Sequence, residues 1–402
     1  MPIQVYLDSS DYSTLSNPSG LSDQLLTIKD KLLSWSKSNE VVFRFSAAHI
    51  IEMAPVEVKA VGAAEARASF LSELCGKNCL ISFDQLMFNE IEKYSANSDL
   101  TLSVFSDDGT WFPYLADGIF SLFDEDRISP ESFLPKFDNL SREARRRASK
   151  EFFKNGKLRP EIKNRILNDT EGPQAILAQF PMRKRDADTL LRYMVGEATK
   201  ADADDAFYAS LRDPKWMTQW FRCNPEEMSP VIEWLRGPAQ QMHVAMKPIA
   251  ETSKNLRDFY MGNSNDSSEP PEMSRKALNE LKERWLHSIS KTILDSNSIP
   301  HPEFSPERLK MMAPGFSTSI SVMADVVWAS ASKTPRESMA SDFVDVVHSM
   351  YAPYVDVYRT DGFMSPLVTQ YVKSHGTTVV AKLTTLVGII EARLCSDKKQ
   401  SA

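Results

Sequence analysis

Near the C-terminal end, Ser341-Asp342-Phe343-Val344-Asp345-Val346-Val347-His348 is followed by Tyr354-Val355-Asp356-Val357-Tyr358-Arg359-Thr360-Asp361. Asp342 and Asp345 stand at i and i+3, so a helix carries both on one face. Asp361 comes just past a Val- and Tyr-rich run that suits a β-strand. At the other end of the chain Asp8 directly follows Ile3-Gln4-Val5-Tyr6-Leu7, a second strand-like run. Glu52 lies about two turns into the helical segment Ala47-Ala48-His49-Ile50-Ile51-Glu52-Met53. Carboxylates gathered at one place repel one another unless a cation joins them. Three or four of them suit Mg2+ or Mn2+, hard cations that prefer oxygen ligands. Such a metal activates water and neutralises charge on a phosphodiester, so phosphodiester hydrolysis is the chemistry these residues predict.

The elements that must position these acids are short. Strands are expected over 3–7, 41–45, 79–83, 356–360 and 377–381. Helices are expected over 47–53, 60–75, 84–93, 341–348, 363–374 and 383–394, with Ser46 and Asp84 as caps of two of them. Ligand sites in open α/β sheets gather at the carboxyl ends of strands, where Asp8 and Asp361 fall. Between 96 and 335 the pattern changes to helical stretches separated by Pro or polar breaks, with few convincing strands. Examples are 186–198, 202–211, 230–235, 273–295 and 317–331, and residues 262–271 form an Asn-, Ser- and Pro-rich loop. The expected architecture is therefore an α/β domain in two halves, 1–95 and 336–394, around a large, mainly helical insertion over 96–335, with 395–402 as a tail. Strands at the C-terminal end need partners, and the N-terminal strands supply them. A long insertion is tolerated because loop-closure cost rises slowly with length.

This arrangement resembles the PIN domain, a family of metal-dependent nucleases. The family pattern is an Asp ending the first strand, a Glu on an early helix, an Asp on a later helix, and an Asp or Asn after the next strand. Asp8, Glu52 and Asp361 match the first, second and fourth positions. The third matches Asp342 or Asp345, and Asp342 opens its helix as the family's third acid often does. The resemblance covers 1–95 and 336–394, not the middle. It implies a PIN-like three-layer domain with a central parallel sheet, a Mg2+- or Mn2+-dependent endoribonuclease activity, and RNA as the usual substrate. It also raises a regulatory protein partner, since antitoxins hold many PIN-like toxins off. The alternative is a binding or interaction protein that keeps the fold without the metal site. All four acidic positions are filled here, which speaks against that loss.

Composition sets the outer bounds. The 402 residues bury a substantial core, and 42% hydrophobic with 25% charged residues is an ordinary soluble composition. Met1-Pro2-Ile3-Gln4-Val5 has no basic region leading into an apolar run, and the apolar stretch 379–390 is broken by Lys382 and two threonines. A cytoplasmic protein that does not cross a membrane is expected, with its four cysteines reduced. The net charge of −7 is not that of a nucleic-acid binder, but it is unevenly spread. From Arg142 to Arg165 there are ten Lys or Arg against three Glu, leaving the rest of the chain at −14. Arg145, Arg146, Arg147 and Lys150, continuing to Lys154 and Lys157, form a basic stripe suited to phosphates. The competing reading is a solvated helix face. Arg183-Lys184-Arg185 is a second basic cluster with the same two readings.

Two His/carboxylate pairs at i, i+3 spacing, His49 with Glu52 and Asp345 with His348, would also suit a zinc- or iron-type site. A histidine beside an apolar helix face is more commonly a structural hydrogen-bonder. Asp202, Asp204 and Asp205 suit the start of a helix, where negative charge meets the dipole. Trp216 and Trp220 share a face and suit either base stacking or a core. A phosphatase reading fails at Ser10, where one large phosphatase family needs a second Asp. No Walker loop, G-x-G-x-x-G or G-x-S-x-G occurs.

Overall fold

The computed structural model describes residues 2–17, 20–53, 61–99, 101–112, 141, 143, 147, 150–169, 174, 176–177, 182–216, 244, 248, 251, 275–330 and 340–400. The first elements are β1 (Ile3–Tyr6), α1 (Ser9–Leu15), α2 (Asp23–Ser38), β2 (Val41–Arg44), α3 (Ala47–Met53), α4 (Val61–Cys75), β3 (Cys79–Leu80), α5 (Phe83–Ala96) and β4 (Phe105–Ser106). Next come β5 (Phe153–Lys154), β6 (Lys157–Leu158), α6 (Pro160–Asn168), α7 (Lys184–Met194) and α8 (Lys200–Leu211). The last are α9 (Arg275–Ser296), α10 (Pro306–Met312), α11 (Pro314–Ser330), α12 (Ala340–Ser349), β7 (Val357–Arg359), α13 (Met364–Val372), β8 (Thr378–Val380) and α14 (Leu383–Gln400). Contacts divide the chain into two compact units: 1–53, 69–113 and 232–402 in one, 54–68 and 114–231 in the other.

The first unit is mixed α/β and is built on a parallel sheet of order β2-β1-β7-β8. β1 and β2 each bury three of four residues, as strands covered on both faces do. Between them α2 buries Ile28, Leu32 and Trp35, spaced i, i+4, i+7 on one face. Ser22 accepts the Leu25 N–H at its start, and Asn39, in the left-handed conformation, ends it. β1 runs parallel to β2 from Ile3 opposite Val41 to Tyr6 opposite Arg44. On its other side β1 meets β7, with Val5 opposite Val357 and Tyr6 opposite Tyr358. A single parallel bridge from Phe45 to Cys79 brings β3 to the outer side of β2.

Residues from both ends of the chain thus share one sheet. Asp356 fastens the junction. Its carboxylate accepts the Gln4 N–H at 2.8 Å and pairs with Arg393 at 2.8 Å, while its own N–H donates to the Gln4 carbonyl at 2.9 Å. The strand order reverses at β1, with β2 to one side and β7 and β8 to the other. A crevice at such a reversal, beyond the carboxyl ends of the strands, is where open α/β sheets bind ligands. The next carboxylates after β1 and β7 are Asp8 and Asp361.

The helices over 275–330 belong to this unit. α11 is buried on nearly all sides, its small Ser and Thr residues included, and it packs on α5, α9, α10, α12 and α13. The fully buried Glu90 of α5 caps it, accepting the Gly315 and Phe316 N–H groups at 2.8 and 2.6 Å and the Tyr354 hydroxyl. Gly315 is required there: a Cβ would stand 2.6 Å from the Met350 carbonyl oxygen and 3.0 Å from Glu90 Oε1. Lower on α11, Asp325 receives Lys282 Nζ (2.6 Å), Tyr371 Oη (2.5 Å) and Gln370 Nε2 (2.9 Å), so both oxygens of a buried carboxylate are satisfied.

In the second unit, β5 and β6 form a hairpin around Asn155 and Gly156, both at positive φ as a tight type I′ turn demands. Phe153 and Leu158 face a small core with Val195, while Lys154 and Lys157 stand opposite each other and exposed. In the capping box at α8, Thr199 and Asp202 bond reciprocally, so Asp202 does serve a helix start.

Several boundaries differ from expectation. The strand expected over 79–83 stops at Leu80, because the following helix begins at Phe83 after Ser82 rather than at a cap formed by Asp84. Residues 96–113 and 232–335, read as insertion, group with the sheet-bearing unit. The segment read as poor in strands contains β4 and the β5–β6 hairpin, each strand only two residues long. The segments 230–235 and 262–271 lie outside the described residues. Among the described residues no helix is long and apolar enough to cross a membrane.

Candidate functional site

Asp8 leaves β1 and caps α1. Its Oδ1 accepts the Ser10 N–H at 2.7 Å, and Asp11 returns the bond by accepting the Asp8 N–H at 3.2 Å. Asp11 is buried and pairs with Arg359 Nη2 at 3.0 Å. Burial pushes the Asp11 carboxyl up to about 7, although Arg359 pulls it down. Arg359 also donates to the Thr360 carbonyl. One buried ion pair therefore ties the outlet of β1 to the outlet of β7. There, Asp361 is exposed and its Oδ1 accepts the Met364 N–H at 2.7 Å, holding the start of α13.

Glu52, half-buried on α3, meets His348 of α12: Nε2 lies 3.0 Å from Oε2. The other ring nitrogen, Nδ1, is 2.6 Å from Tyr6 Oη, which lies 2.6 Å from Ser46 Oγ. Tyr6 is fully buried and its ring stacks on Tyr358, 5.5 Å between centroids and 12° between planes. Ser46, expected as a helix cap, thus gives its hydroxyl to this chain. Burial favours neutral forms of both Glu52 and His348. Their mutual hydrogen bond and opposite charges outweigh it, so Glu52 lies below the usual carboxylate range and His348 above the usual imidazole range.

His49 has a different task. Its Nδ1 accepts the Ser46 N–H at 3.1 Å, so the proton sits on Nε2, which donates to the Leu7 carbonyl at 2.9 Å. Burial and the neighbouring His348 charge push it down to about 3, leaving it neutral. It braces the residue just before Asp8. The sequence spacing had paired His49 with Glu52 and Asp345 with His348. The fold instead joins Glu52 to His348 across two helices and turns His49 away to the backbone of β1.

Asp345 lies one turn before His348 on α12. Burial pushes its carboxyl up to about 7; the His348 charge opposes this, and Glu52, Asp8 and Asp361 reinforce it. Asp8, Glu52, Asp345 and Asp361 therefore act on one electrostatic site, two from strand ends and two from helices. Asp342, the third acid favoured on sequence grounds, is 1% exposed, and the charges that most raise Asp345 are those of Glu52, Asp8 and Asp361. As they stand, no three His, Cys, Asp or Glu among the described residues are close enough to share one metal ion.

Of the basic stripe, Arg145 and Arg146 lie outside the described residues. Arg147 and Lys150 are exposed, and Arg147 donates to Glu143, one turn earlier, at 2.6 Å. In the second cluster Arg183 and Arg185 both turn to Asp186, at 2.5 and 3.6 Å. Trp216 is half-buried, and Trp220 lies outside the described residues. Sequence reasoning missed Tyr6, Asp11 and Arg359. The Asp8-x-x-Asp11 spacing, a capping-box pattern, was the available signal for Asp11, and a charged residue inside an apolar strand was the signal for Arg359. No protein-family model, no curated protein and no solved structure matches this chain.

Proposed function

We propose that the chain is a divalent-metal-dependent nuclease of PIN-like type, an endoribonuclease acting at the carboxyl ends of β1 and β7. The observation that carries this is the placing of Asp8 and Asp361 at the ends of the adjacent strands β1 and β7, where the strand order reverses; Asp345, its proton affinity raised first by burial, also feels their charges and that of Glu52. In donor chemistry Asp8, Glu52, Asp345 and Asp361 fit Mg2+ or Mn2+, which take carboxylate oxygens and lower the repulsion among them. These four residues would hold the cation, which would supply charge neutralisation at the phosphodiester and a more acidic water. The chain's own groups do the rest. The Asp11–Arg359 pair fixes the two strand outlets, and His49 braces Leu7 beside Asp8. The second unit, taken by itself, carries a basic surface suited to phosphates in the exposed Lys150, Lys154 and Lys157, the last two opposite each other across the hairpin.

The test is cleavage of a panel of RNAs and matched DNAs in Mg2+ or Mn2+, with EDTA added as a stop, by wild type and Asp361→Asn. Asp361→Asn keeps the fold and loses activity by orders of magnitude. A folded wild type that cuts nothing across metals and substrates refutes the proposal, and full activity in Asp361→Asn moves the chemistry elsewhere. A second reading, a PIN-like binding protein without catalysis, is favoured by the engagement of Glu52 with His348 and by the absence of three metal-sharing donors among the described residues. Retarded but intact RNA in the same assay selects it.

A further inference from the structure

We propose that His348 is a positioning residue, which holds the Glu52 carboxylate in place through the chain Ser46–Tyr6–His348–Glu52. The proposal rests on the nuclease reading and deepens it. Glu52 sits near the end of α3, a helix of seven residues, and is the half-buried, accessible end of an otherwise buried chain. A glutamate in that place has three side-chain torsions to fix. His348 supplies the fixed point. Both of its ring nitrogens are engaged, at 2.6 Å to Tyr6 and 3.0 Å to Glu52. The ring cannot turn freely, because Tyr6 and His49 press on it edge-on, with centroids 5.6 and 4.7 Å away.

The direction of the last bond does not depend on the charge of the ring. With neutral imidazole, the proton sits on Nε2 and donates to Glu52, Tyr6 donates to Nδ1, and the Ser46 hydroxyl donates to Tyr6. With imidazolium, Nδ1–H donates to Tyr6, whose hydroxyl turns to Ser46. In both states Nε2–H points at the Glu52 carboxylate. Tyr6 is in turn clamped by its stack on Tyr358 of the neighbouring strand, so the chain refers the helix-borne Glu52 to the sheet that carries Asp8 and Asp361. Outer groups of this kind orient metal-binding side chains, and their loss weakens metal binding by roughly tenfold to a hundredfold.

The experiment compares wild type, His348→Ala, His348→Gln and Tyr6→Phe by calorimetric Mn2+ titration, by kcat and KM for RNA cleavage at saturating Mn2+, and by thermal melting. Expected are a Mn2+ affinity loss of roughly tenfold or more in His348→Ala, a fall in kcat with KM for RNA unchanged, and substantial rescue in His348→Gln, whose amide N–H reaches Glu52. Tyr6→Phe, which removes only the hydroxyl, gives a smaller loss in the same direction. Folded His348→Ala with wild-type Mn2+ affinity and kcat overturns the proposal, as does His348→Gln showing no rescue. If His348→Ala does not fold, Tyr6→Phe decides: folded Tyr6→Phe with wild-type Mn2+ affinity and kcat overturns the proposal. Wild type that neither binds Mn2+ nor cuts RNA brings down the nuclease reading itself, an outcome distinct from variants that match a binding-competent wild type.

Discussion

Replacing Asp345 by Asn stabilises the protein at pH 8 and does so progressively less as the pH falls. The ordinary Asp value is 3.8, and burial with three neighbouring carboxylates takes Asp345 to about 7. In the unfolded chain the group ionises near its ordinary value, so between about pH 4 and 7 the folded state holds the extra proton, and stability falls as pH rises. At about 1.4 kcal/mol for each tenfold in proton affinity, the full displacement is about 4 kcal/mol. Partial exposure and salt screening reduce this to about 2 kcal/mol. Asn cannot ionise and escapes the loss. Urea unfolding of both proteins, followed by circular dichroism at pH 4.5 and 8 and without divalent cations, measures the difference. The Asn variant gains about 2 kcal/mol on wild type between the two pH values, and added Mn2+ narrows the gap at pH 8 by stabilising only the carboxylate form. A variant that tracks wild type at both pH values would show that Asp345 carries no unfavourable charge, and would remove the electrostatic basis for a shared acidic site.

Three further outcomes follow from the packing around that site. Gly315→Ala destabilises by about 2–3 kcal/mol despite its helix propensity, because the new methyl meets the Met350 carbonyl and the Glu90 cap; a thermal melt equal to wild type would contradict this. Asp11→Ala leaves Arg359 buried without its carboxylate and costs about 3–5 kcal/mol, whereas Asp11→Ala combined with Arg359→Met costs less; a double-variant loss equal to the sum of the two single losses would mean that the pair does not couple. Lys154→Thr with Lys157→Thr relieves the like-charge pair across the hairpin, a gain of a few tenths of a kcal/mol. It also flattens the salt dependence of RNA binding by up to about 1.4 in log–log slope, and an unchanged slope would return both lysines to plain surface.

The sheet was legible because its strands are short apolar runs closed by polar residues, and four of those runs, at 3–7, 41–45, 356–360 and 377–381, pair in parallel. The β5–β6 hairpin escaped because two-residue strands carry no periodicity, although Asn155-Gly156 is a strong hairpin signal in its own right. The acids at strand ends were visible from position alone. Their partners were not. Glu52 and His348 are 296 residues apart, and nothing local says that they meet. Spacing proposes neighbours on one helix, and here both histidines found their partners elsewhere, His49 on the backbone of β1 and His348 on Glu52 and Tyr6. Asp342 and Asp345 were equally placed by periodicity, and nothing in the sequence said that Asp345 would feel the charges of Asp8, Glu52 and Asp361.

Pairing β1 with β7 also orders events in time. Val5 and Tyr6 wait for Val357 and Tyr358, so the central strand has one open edge until more than three hundred further residues have been synthesised. At roughly 5–20 residues per second, a nascent chain spends some tens of seconds in that state. During that interval it holds Asp8 and Glu52 but lacks Asp345, His348, Arg359 and Asp361. On the proposed nuclease reading, chemistry that needs all four carboxylates begins only when the C-terminal segment docks. The same dependence makes that docking a single point of control: a ligand, chaperone or cleavage that keeps residues 340–380 off the sheet parts Asp345 and Asp361 from Asp8 and Glu52 in one step.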